Sequence, residues 1–120
     1  MAKVLVVEDN ELNLKLFCDL LSIKNHEVVT SQEGSDAFDL AATEHPELIL
    51  MDIQLNGISG LDIIKELKES SKTSHIPIIA VTAFAMKHDE VKIMESGCDM
   101  YLSKPLSIDQ LFDAISRYIK

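Results

Sequence analysis

Short apolar segments rich in β-branched residues alternate with helical patterns along this chain, and that alternation restricts the fold more than any other feature. The apolar segments are KVLVV (3–7), EVVTS (27–31), LILM (48–51), IPIIAV (76–81) and the weaker MYLS (100–103). Runs of this length and composition are typical of buried strands. Strands that alternate with helices pair in parallel through right-handed crossovers, with helices on both faces of the sheet.

The segments between the strands have apolar residues at helical spacing. They predict helices over 11–24, 35–45, 61–69, 86–96 and 107–120. The first of these is expected to direct four residues toward the core: Leu16, Phe17, Leu20 and Leu21. The last opens on Ser107 with Gln110 three residues later, which is the spacing of a capping box.

These elements predict one α/β domain over residues 1–120, with no linker or internal repeat. A parallel sheet of about five strands in a chain of this length favours the doubly wound, flavodoxin-like order 2-1-3-4-5. Because the chain ends with the fifth helix, we expect a single domain without an output domain.

Charge and composition argue against several classes of partner. The net charge of −9 disfavours nucleic acid and anionic membranes, since both need clustered Lys and Arg. Membrane insertion is not expected, because no apolar run approaches the ~20 residues of a membrane span and the start lacks a signal peptide. Cys18 and Cys98 have no metal-like spacing, and we expect reduced thiols in a cytoplasmic protein.

The predicted strand order places polar side chains in a row at one edge of the sheet. In such sheets ligands bind beyond the carboxyl ends of the strands, where the order reverses, here between strands 1 and 3. The residues at these ends are Glu8 and Asp9 after strand 1, Asp52 after strand 3, Thr82 after strand 4 and Lys104 after strand 5. Neighbouring strands lie about 4.8 Å apart, so these side chains are expected to be neighbours.

Taken singly, each of these residues has an ordinary explanation. An acidic residue after a strand often caps a turn or a helix, Thr82 could cap a helix, and Lys104 could be a solvated lysine. Their coincidence at one sheet edge favours a site. Clustered carboxylates without His or Cys suit a hard cation such as Mg²⁺, and a carboxylate beside Mg²⁺ can attack a phosphoryl group.

The segments VLVVEDN, LILMDIQL, AVTA and SKP resemble the receiver domain of bacterial two-component response regulators, and the resemblance extends from end to end. It implies that Asp52 is the phosphoacceptor. It also implies that Glu8, Asp9 and Asp52 bind Mg²⁺ together with the backbone carbonyl of Gln54. One position departs from the family pattern, because Asn56 stands where a proline is usual, and we expect a looser loop without loss of phosphorylation.

The resemblance assigns roles to the remaining residues of the row. Thr82 would bind the phosphoryl group and shift with it, Lys104 would pair with it, and Tyr101 matches the switch aromatic that turns inward when Thr82 moves. The phosphoryl donor would be a histidine kinase or a histidine phosphotransfer protein docked over the first helix. Leu14 and Cys18, one turn apart on that helix, are expected to face outward.

On the output side, Phe84 and Met86 are candidates for a partner surface formed on phosphorylation, although core packing of Phe84 is an equal alternative. Output is expected to be a contact with a downstream regulatory kinase or another protein. The closest resemblance is to single-domain members that control cell-cycle progression, so a signalling role and not an enzymatic one is expected.

Two other classes share parts of this pattern. Dehalogenase-type phosphatases also use an aspartyl nucleophile with Mg²⁺, but they place a second Asp two residues on, where this chain has Gln54, which cannot transfer a proton in that way. A small flavodoxin would use the same switch point for its flavin. The acidic residues would repel the flavin phosphate, and the chain has no Trp and two Tyr for stacking.

Overall fold

The computed structural model describes residues 2–55, 58–83, 87–104 and 106–119. Strands and helices alternate in it much as predicted. In chain order the elements are β1 (Lys3–Val7), α1 (Glu11–Ile23), β2 (Glu27–Ser31), α2 (Ala37–Glu44), β3 (Leu48–Asp52), β4 (Gln54–Leu55), β5 (Ile58–Ser59), α3 (Gly60–Glu69), β6 (Ile78–Thr82), α4 (Lys87–Glu95), β7 (Met100–Ser103) and α5 (Ile108–Ser116).

Five strands form one parallel sheet in the order β2-β1-β3-β6-β7. This is the predicted order 2-1-3-4-5, with β6 and β7 as its fourth and fifth strands, and the predicted fold class is confirmed. The strands β4 and β5 form a separate antiparallel pair in the connection after β3. They were not predicted, because two-residue strands are too short to show a period in the sequence.

The sheet separates two layers of core. One face of the sheet packs against α2, α3 and α4, and the other packs against α1 and α5. The strand residues alternate between these layers, so that Leu5 and Val7 contact the first and Val4 and Val6 the second. Because both faces are covered, the central strands are apolar throughout, as expected for a parallel sheet.

Side-chain caps fix the starts of α1 and α5. The side chain of Asn10 accepts a hydrogen bond from the backbone N–H of Asn13 at 3.0 Å. At α5 the predicted capping box is confirmed: Ser107 Oγ accepts from the N–H of Gln110 at 3.0 Å, and Gln110 Oε1 accepts from the N–H of Ser107 at 3.1 Å. These bonds satisfy N–H groups that the helix itself leaves without a partner.

The buried stripe of α1 differs from the prediction at Leu16. Phe17, Leu20 and Leu21 are buried as predicted, whereas Leu16 is 51% exposed. Conversely, Leu14, which was predicted to face outward, packs partly against the core. The reason is helical geometry, since Leu14 lies three residues before Phe17 on the same face and Leu16 is rotated by about 100° from it. Within the described ranges, no helix is long and apolar enough to cross a membrane.

Candidate functional site

The carboxyl ends of β1 and β3 bring three acidic side chains together. Glu8 and Asp9 directly follow β1, and Asp52 is the last residue of β3, the neighbouring strand. Each of them offers a carboxylate oxygen, and these oxygens lie within 4.8 Å of one another. Glu8 and Asp52 are buried, whereas Asp9 is half-buried. The predicted convergence of these residues is therefore present in the fold.

Lys104 reaches the acidic cluster from the connection after β7. Its Nζ lies 3.2 Å from Glu8 Oε1 and 3.5 Å from Asp52 Oδ2. Its backbone N–H donates to the carbonyl of Thr82 at 2.7 Å, which holds the beginning of this connection beside the end of β6. The lysine thus supplies positive charge to two buried carboxyl groups, at the edge where the sequence predicted it.

The carboxyl group of Glu8 is strongly affected by its surroundings. Burial is the largest cause that raises its pKa to about 7. A hydrogen bond that the protonated Glu8 donates to Asp52 and charge repulsion from Asp52 act in the same direction. Lys104 and the backbone N–H of Asn10, 3.4 Å from Glu8 Oε2, oppose the rise. Burial and a like charge both disfavour the ionised form, so close packing of the acidic groups is energetically costly at neutral pH.

Thr82 ends β6 at the same edge of the sheet and is buried. In the register of the sheet, Asp52 lies opposite Val81, so that Thr82 comes one residue further along than Asp52 does. On the other side, Thr82 is paired with Ser103 of β7. Its hydroxyl is therefore carried by the strand next to the one that carries Asp52, as the sequence predicted.

Tyr101 lies on β7 opposite Ala80 and is half-buried. Its ring packs partly against the core layer that contains α4. The phenol O–H of Tyr101 donates a hydrogen bond to the carboxylate of Glu90 on α4, and this bond is the main reason for the raised pKa of Tyr101. Both residues line a cleft of about 480 Å³ together with Val91, Met94 and Glu95. The predicted switch residue therefore has a polar contact with the neighbouring helix.

The residues predicted to face outward on α1 are less exposed than expected. Leu14 and Cys18 are both half-buried and do not form an exposed apolar pair. The exposed apolar residues of this helix include Leu12, which is 80% exposed, and Leu16. Leu16 also lines a cleft of about 420 Å³ whose walls are Asn13, Leu16, Phe17, Ala83, Lys104 and Leu106. The apolar surface of α1 therefore continues to the side chain of Lys104.

Some predicted residues lie partly or wholly outside what the structure describes. The backbone of Gln54 belongs to β4, and its side chain is outside the description. Asn56, Phe84 and Met86 lie outside the described residues. One contributor to the site was missed in the sequence, namely Asn10. The signal was an Asn placed directly before a helical pattern, which is typical of a helix cap.

The fold and the site together define a class of protein. A doubly wound parallel sheet carries three carboxyl groups and an ammonium group at its switch point, with a hydroxyl on the next strand. Carboxylate oxygens at this spacing can bind a hard cation, and a carboxylate beside such a cation can act as a nucleophile. This combination of a flavodoxin-like sheet and an acidic site with lysine is that of a receiver domain.

The sequence profile of the response regulator receiver domain matches residues 4–116. The chain therefore belongs to the response regulator receiver family. Among its relatives, the polar-differentiation response regulator DivK of Brucella ovis is 51% identical over 116 residues, which cover 97% of this chain and 94% of that protein.

Solved structures agree on the fold. The receiver domain of the sensor histidine kinase PA1611 from Pseudomonas aeruginosa PAO1 superimposes with a TM-score of 0.90 at 29% identity, over 98% of this chain and 97% of that chain. The chemotaxis protein CheY4 of Vibrio cholerae gives a TM-score of 0.92 at 24% identity, over 99% of both chains. At 24% identity, the similarity to CheY4 concerns the fold alone.

Proposed function

We propose that this protein is a phosphoacceptor of a two-component phosphorelay and that Asp52 receives the phosphoryl group. The observation that carries the proposal is the convergence of Glu8, Asp9 and Asp52, whose carboxylate oxygens lie within 4.8 Å of one another, with Lys104 Nζ at 3.5 Å from Asp52. Such a cluster contains a carboxylate that can act as nucleophile and further carboxylates that can hold a cation beside it.

The donor set fits Mg²⁺. Its side-chain ligands would be the carboxylates of Glu8, Asp9 and Asp52, joined by the backbone carbonyl of Gln54, and oxygen ligands suit a hard cation. Burial first, and then the hydrogen bond and the like charge of Asp52, raise the pKa of Glu8, and a bound divalent cation would favour the ionised carboxylates. When bound, the ion would stabilise negative charge on the phosphoryl oxygens. The receiver of the P. aeruginosa kinase has a magnesium ion coordinated in its active-site cleft, which supports this assignment.

In the proposed transfer, an oxygen of the Asp52 carboxylate attacks the phosphorus atom of a phosphohistidine. The bond between phosphorus and the imidazole nitrogen breaks, the nitrogen keeps the electron pair, and an acyl phosphate remains on Asp52. The ammonium group of Lys104, already 3.5 Å from Asp52 Oδ2, pairs with a phosphoryl oxygen. The hydroxyl of Thr82 donates a hydrogen bond to another phosphoryl oxygen. Charge on the transferred group is therefore stabilised by Thr82 at the end of β6 and by Lys104 after β7.

The proposed signal begins with the hydroxyl of Thr82. When Thr82 shifts toward the phosphoryl group, Tyr101 turns inward from its contact with Glu90. The two switch residues are carried by adjacent strands, where Thr82 is paired with Ser103, two residues beyond Tyr101. The turn changes the surface between β7 and α4, which we propose as the partner surface. The sequence adds Phe84 and Met86 as candidates for this surface, and both lie outside the described residues.

The proposed phosphoryl donor is a histidine kinase or a histidine phosphotransfer protein. Exposed Leu12 and Leu16 and the cleft that runs from Leu16 to Lys104 support α1 as its docking face. A donor seated there would present its phosphohistidine next to Asp52. The half-buried Leu14 and Cys18 would pack beneath this docking face and contribute less to direct contact.

We infer that the protein works as a stand-alone signalling receiver, and the match to 94% of the length of the B. ovis regulator supports this. By analogy with that polar-differentiation regulator, its output is a phosphorylation-dependent contact with a regulatory kinase or another protein in cell-cycle control. Gln54 at the position of a phosphatase general acid argues against a hydrolytic enzyme. The proposed location is the cytoplasm, where kinase receivers act and where the unpaired Cys18 and Cys98 stay reduced.

The proposal is tested by incubation with acetyl phosphate and Mg²⁺, followed by intact-mass measurement. The wild-type protein should gain the mass of one phosphoryl group, and Asp52→Asn should gain none. The matched control is Asp62→Asn, because Asp62 is an exposed aspartate in the first turn of α3 and should not affect labelling. Labelling that persists in Asp52→Asn would overturn the assignment of the phosphoacceptor.

The metal assignment has its own test. Asp9→Ala should weaken Mg²⁺ binding by roughly ten- to a hundredfold, because a ligand is lost. Binding can be followed by NMR through the backbone amide shifts during a Mg²⁺ titration. An unchanged dissociation constant in Asp9→Ala would contradict the proposed acidic site.

A further inference from the structure

We propose that Gly60 is a positioning residue of the phosphoacceptor loop, by which we mean the described residues 53–55 and 58–59. The lack of a side chain at Gly60 lets the start of α3 lie directly against the Asp52–Ile53 peptide. The contact fixes where the loop presents the carbonyl of Gln54 relative to the carboxylate of Asp52. The inference rests on the function proposed above, in which these two groups bind Mg²⁺.

The approach of Gly60 to the strand end is closer than a side chain allows. A Cβ atom on Gly60 would lie 2.6 Å from the carbonyl oxygen of Asp52 and 2.6 Å from Cα of Ile53. It would also lie 3.1 Å from the carbonyl carbon of Ile53. Ordinary contacts of a Cβ atom begin at 3.4 Å, and all three atoms belong to the backbone. No rotation of a side chain can therefore make room.

The conformation of Gly60 does not by itself require glycine. The described glycines with positive φ are Gly34 and Gly97, and Gly60 is not among them. At the first position of a helix, alanine would even be favoured over glycine by intrinsic propensity. The close approach to the Asp52–Ile53 peptide is therefore the physical reason for glycine at this position.

Both sides of the contact are held in place. The N–H of Ile53 donates to the carbonyl of Val81 at 3.1 Å, which ties the beginning of the loop to β6. On the other side, α3 buries Ile63, Ile64 and Leu67 in the core. Between them, the N–H of Gly60 donates to the carbonyl of Ile53 at 3.1 Å. Neither the strand nor the helix can withdraw without breaking buried contacts.

Either way of relieving a clash at Gly60 would move Gln54. If the Asp52–Ile53 peptide rotates, Gln54 moves with it, because Gln54 is the next residue along the chain. If the start of α3 lifts, it takes Ser59 with it, and Ser59 is paired with Gln54 across the β4–β5 hairpin. The hairpin therefore transmits a displacement of Gly60 to the proposed metal-binding carbonyl by both routes.

The test compares wild type with Gly60→Ala, which adds one carbon atom at the contact. Mg²⁺ is titrated against the whole protein by NMR, and labelling by acetyl phosphate is then measured at several Mg²⁺ concentrations. We expect the Mg²⁺ dissociation constant of Gly60→Ala to rise by roughly ten- to a hundredfold, as for other changes in the support of metal ligands. Saturating Mg²⁺ should restore a large part of the labelling rate.

Two controls separate positioning from loss of stability. Asp62→Ala changes an exposed side chain in the first turn of α3, outside the loop, and should bind Mg²⁺ as wild type does. Ile64→Val removes a methylene from the buried face of α3 and should lower stability with an unchanged Mg²⁺ dissociation constant.

The possible outcomes distinguish this inference from the function on which it rests. If wild type is labelled and Gly60→Ala binds Mg²⁺ within twofold of wild type, the inference is overturned while the proposed function stands. If Gly60→Ala does not fold, the inference is overturned too. The clash would then disrupt the packing of the core layer that contains α3, and not only the position of the loop. If wild type neither binds Mg²⁺ nor is labelled, the proposed function itself fails.

Discussion

Lys104 Nζ lies 3.2 Å from Glu8 Oε1, which joins the connection after β7 to the end of β1 across 96 residues of sequence. Two strands, β3 and β6, separate β1 from β7 in the sheet, so the long lysine side chain extends back over the switch point. Glu8 is buried and Lys104 is partly buried. The pair therefore links the acidic cluster to the segment that follows the proposed switch strand.

Replacement of Lys104 should impair both the charge balance and the transfer. In Lys104→Met the pKa of Glu8 should rise further, because Lys104 is a group that lowers it. Labelling by acetyl phosphate should slow by roughly a hundredfold, since one group that stabilises charge on the phosphoryl oxygens is lost. The control is Lys15→Met, which removes an exposed lysine 3.1 Å from Asp19 on α1. Equal labelling rates in Lys104→Met and wild type would contradict the role of Lys104.

Glu8 should make the stability of the metal-free protein depend on pH. Its pKa is raised from 4.5 to about 7 in the folded protein. Between these values the folded state keeps a proton that the unfolded state releases, so stability falls as pH rises through this window. Glu8→Gln should remove that part of the slope.

The measurement is denaturant unfolding with a chelator at several pH values from 4.5 to 7. Glu11→Gln serves as the control, because Glu11 is an exposed acid in the first turn of α1. It should keep the wild-type slope. If stability falls more steeply with rising pH in Glu8→Gln than in wild type, the predicted direction of the Glu8 contribution is wrong.

The capping box of α5 should contribute measurably to stability. Ser107→Ala removes the hydroxyl that accepts from the N–H of Gln110, and the free energy of unfolding should fall by about 1 kcal/mol. Ser59 is the N-cap residue of α3 but makes no side-chain capping bond, so Ser59→Ala should lower the free energy of unfolding by much less. Denaturant unfolding of both variants gives the comparison, and equal losses would argue that the capping bond contributes little.

Glu90 should control the ionisation of Tyr101. In Glu90→Gln the pKa of Tyr101 should fall toward its ordinary value, because the hydrogen bond and the negative charge of Glu90 both raise it. The titration of the phenol can be followed by ultraviolet absorbance in a Tyr118→Phe background, which leaves Tyr101 as the remaining tyrosine. Glu95→Gln, in the same cleft, is the control and should leave this pKa unchanged. A pKa unaffected by Glu90→Gln would refute the contact.

Much of the site followed from the residue types at the predicted strand ends. Glu8, Asp9, Asp52, Thr82 and Lys104 were all predicted at one edge of the sheet, and the structure places them there. These positions were predictable because β-strand and helix periods are local, and because the alternation of strands and helices leaves few strand orders. Leu14 and Leu16 were predicted wrongly, because the buried face of α1 is rotated by a fraction of a turn from the predicted one.

The sequence by itself determined the α/β class, the strand order and the chemical groups at the switch point. The tertiary structure alone decided that Lys104 contacts Glu8, that burial raises the pKa of Glu8, and that Gly60 lies against the Asp52–Ile53 peptide. The physical reason is that periodicity records which face of an element is buried. Distances between side chains far apart in sequence depend on how completed elements pack, and no local pattern records them.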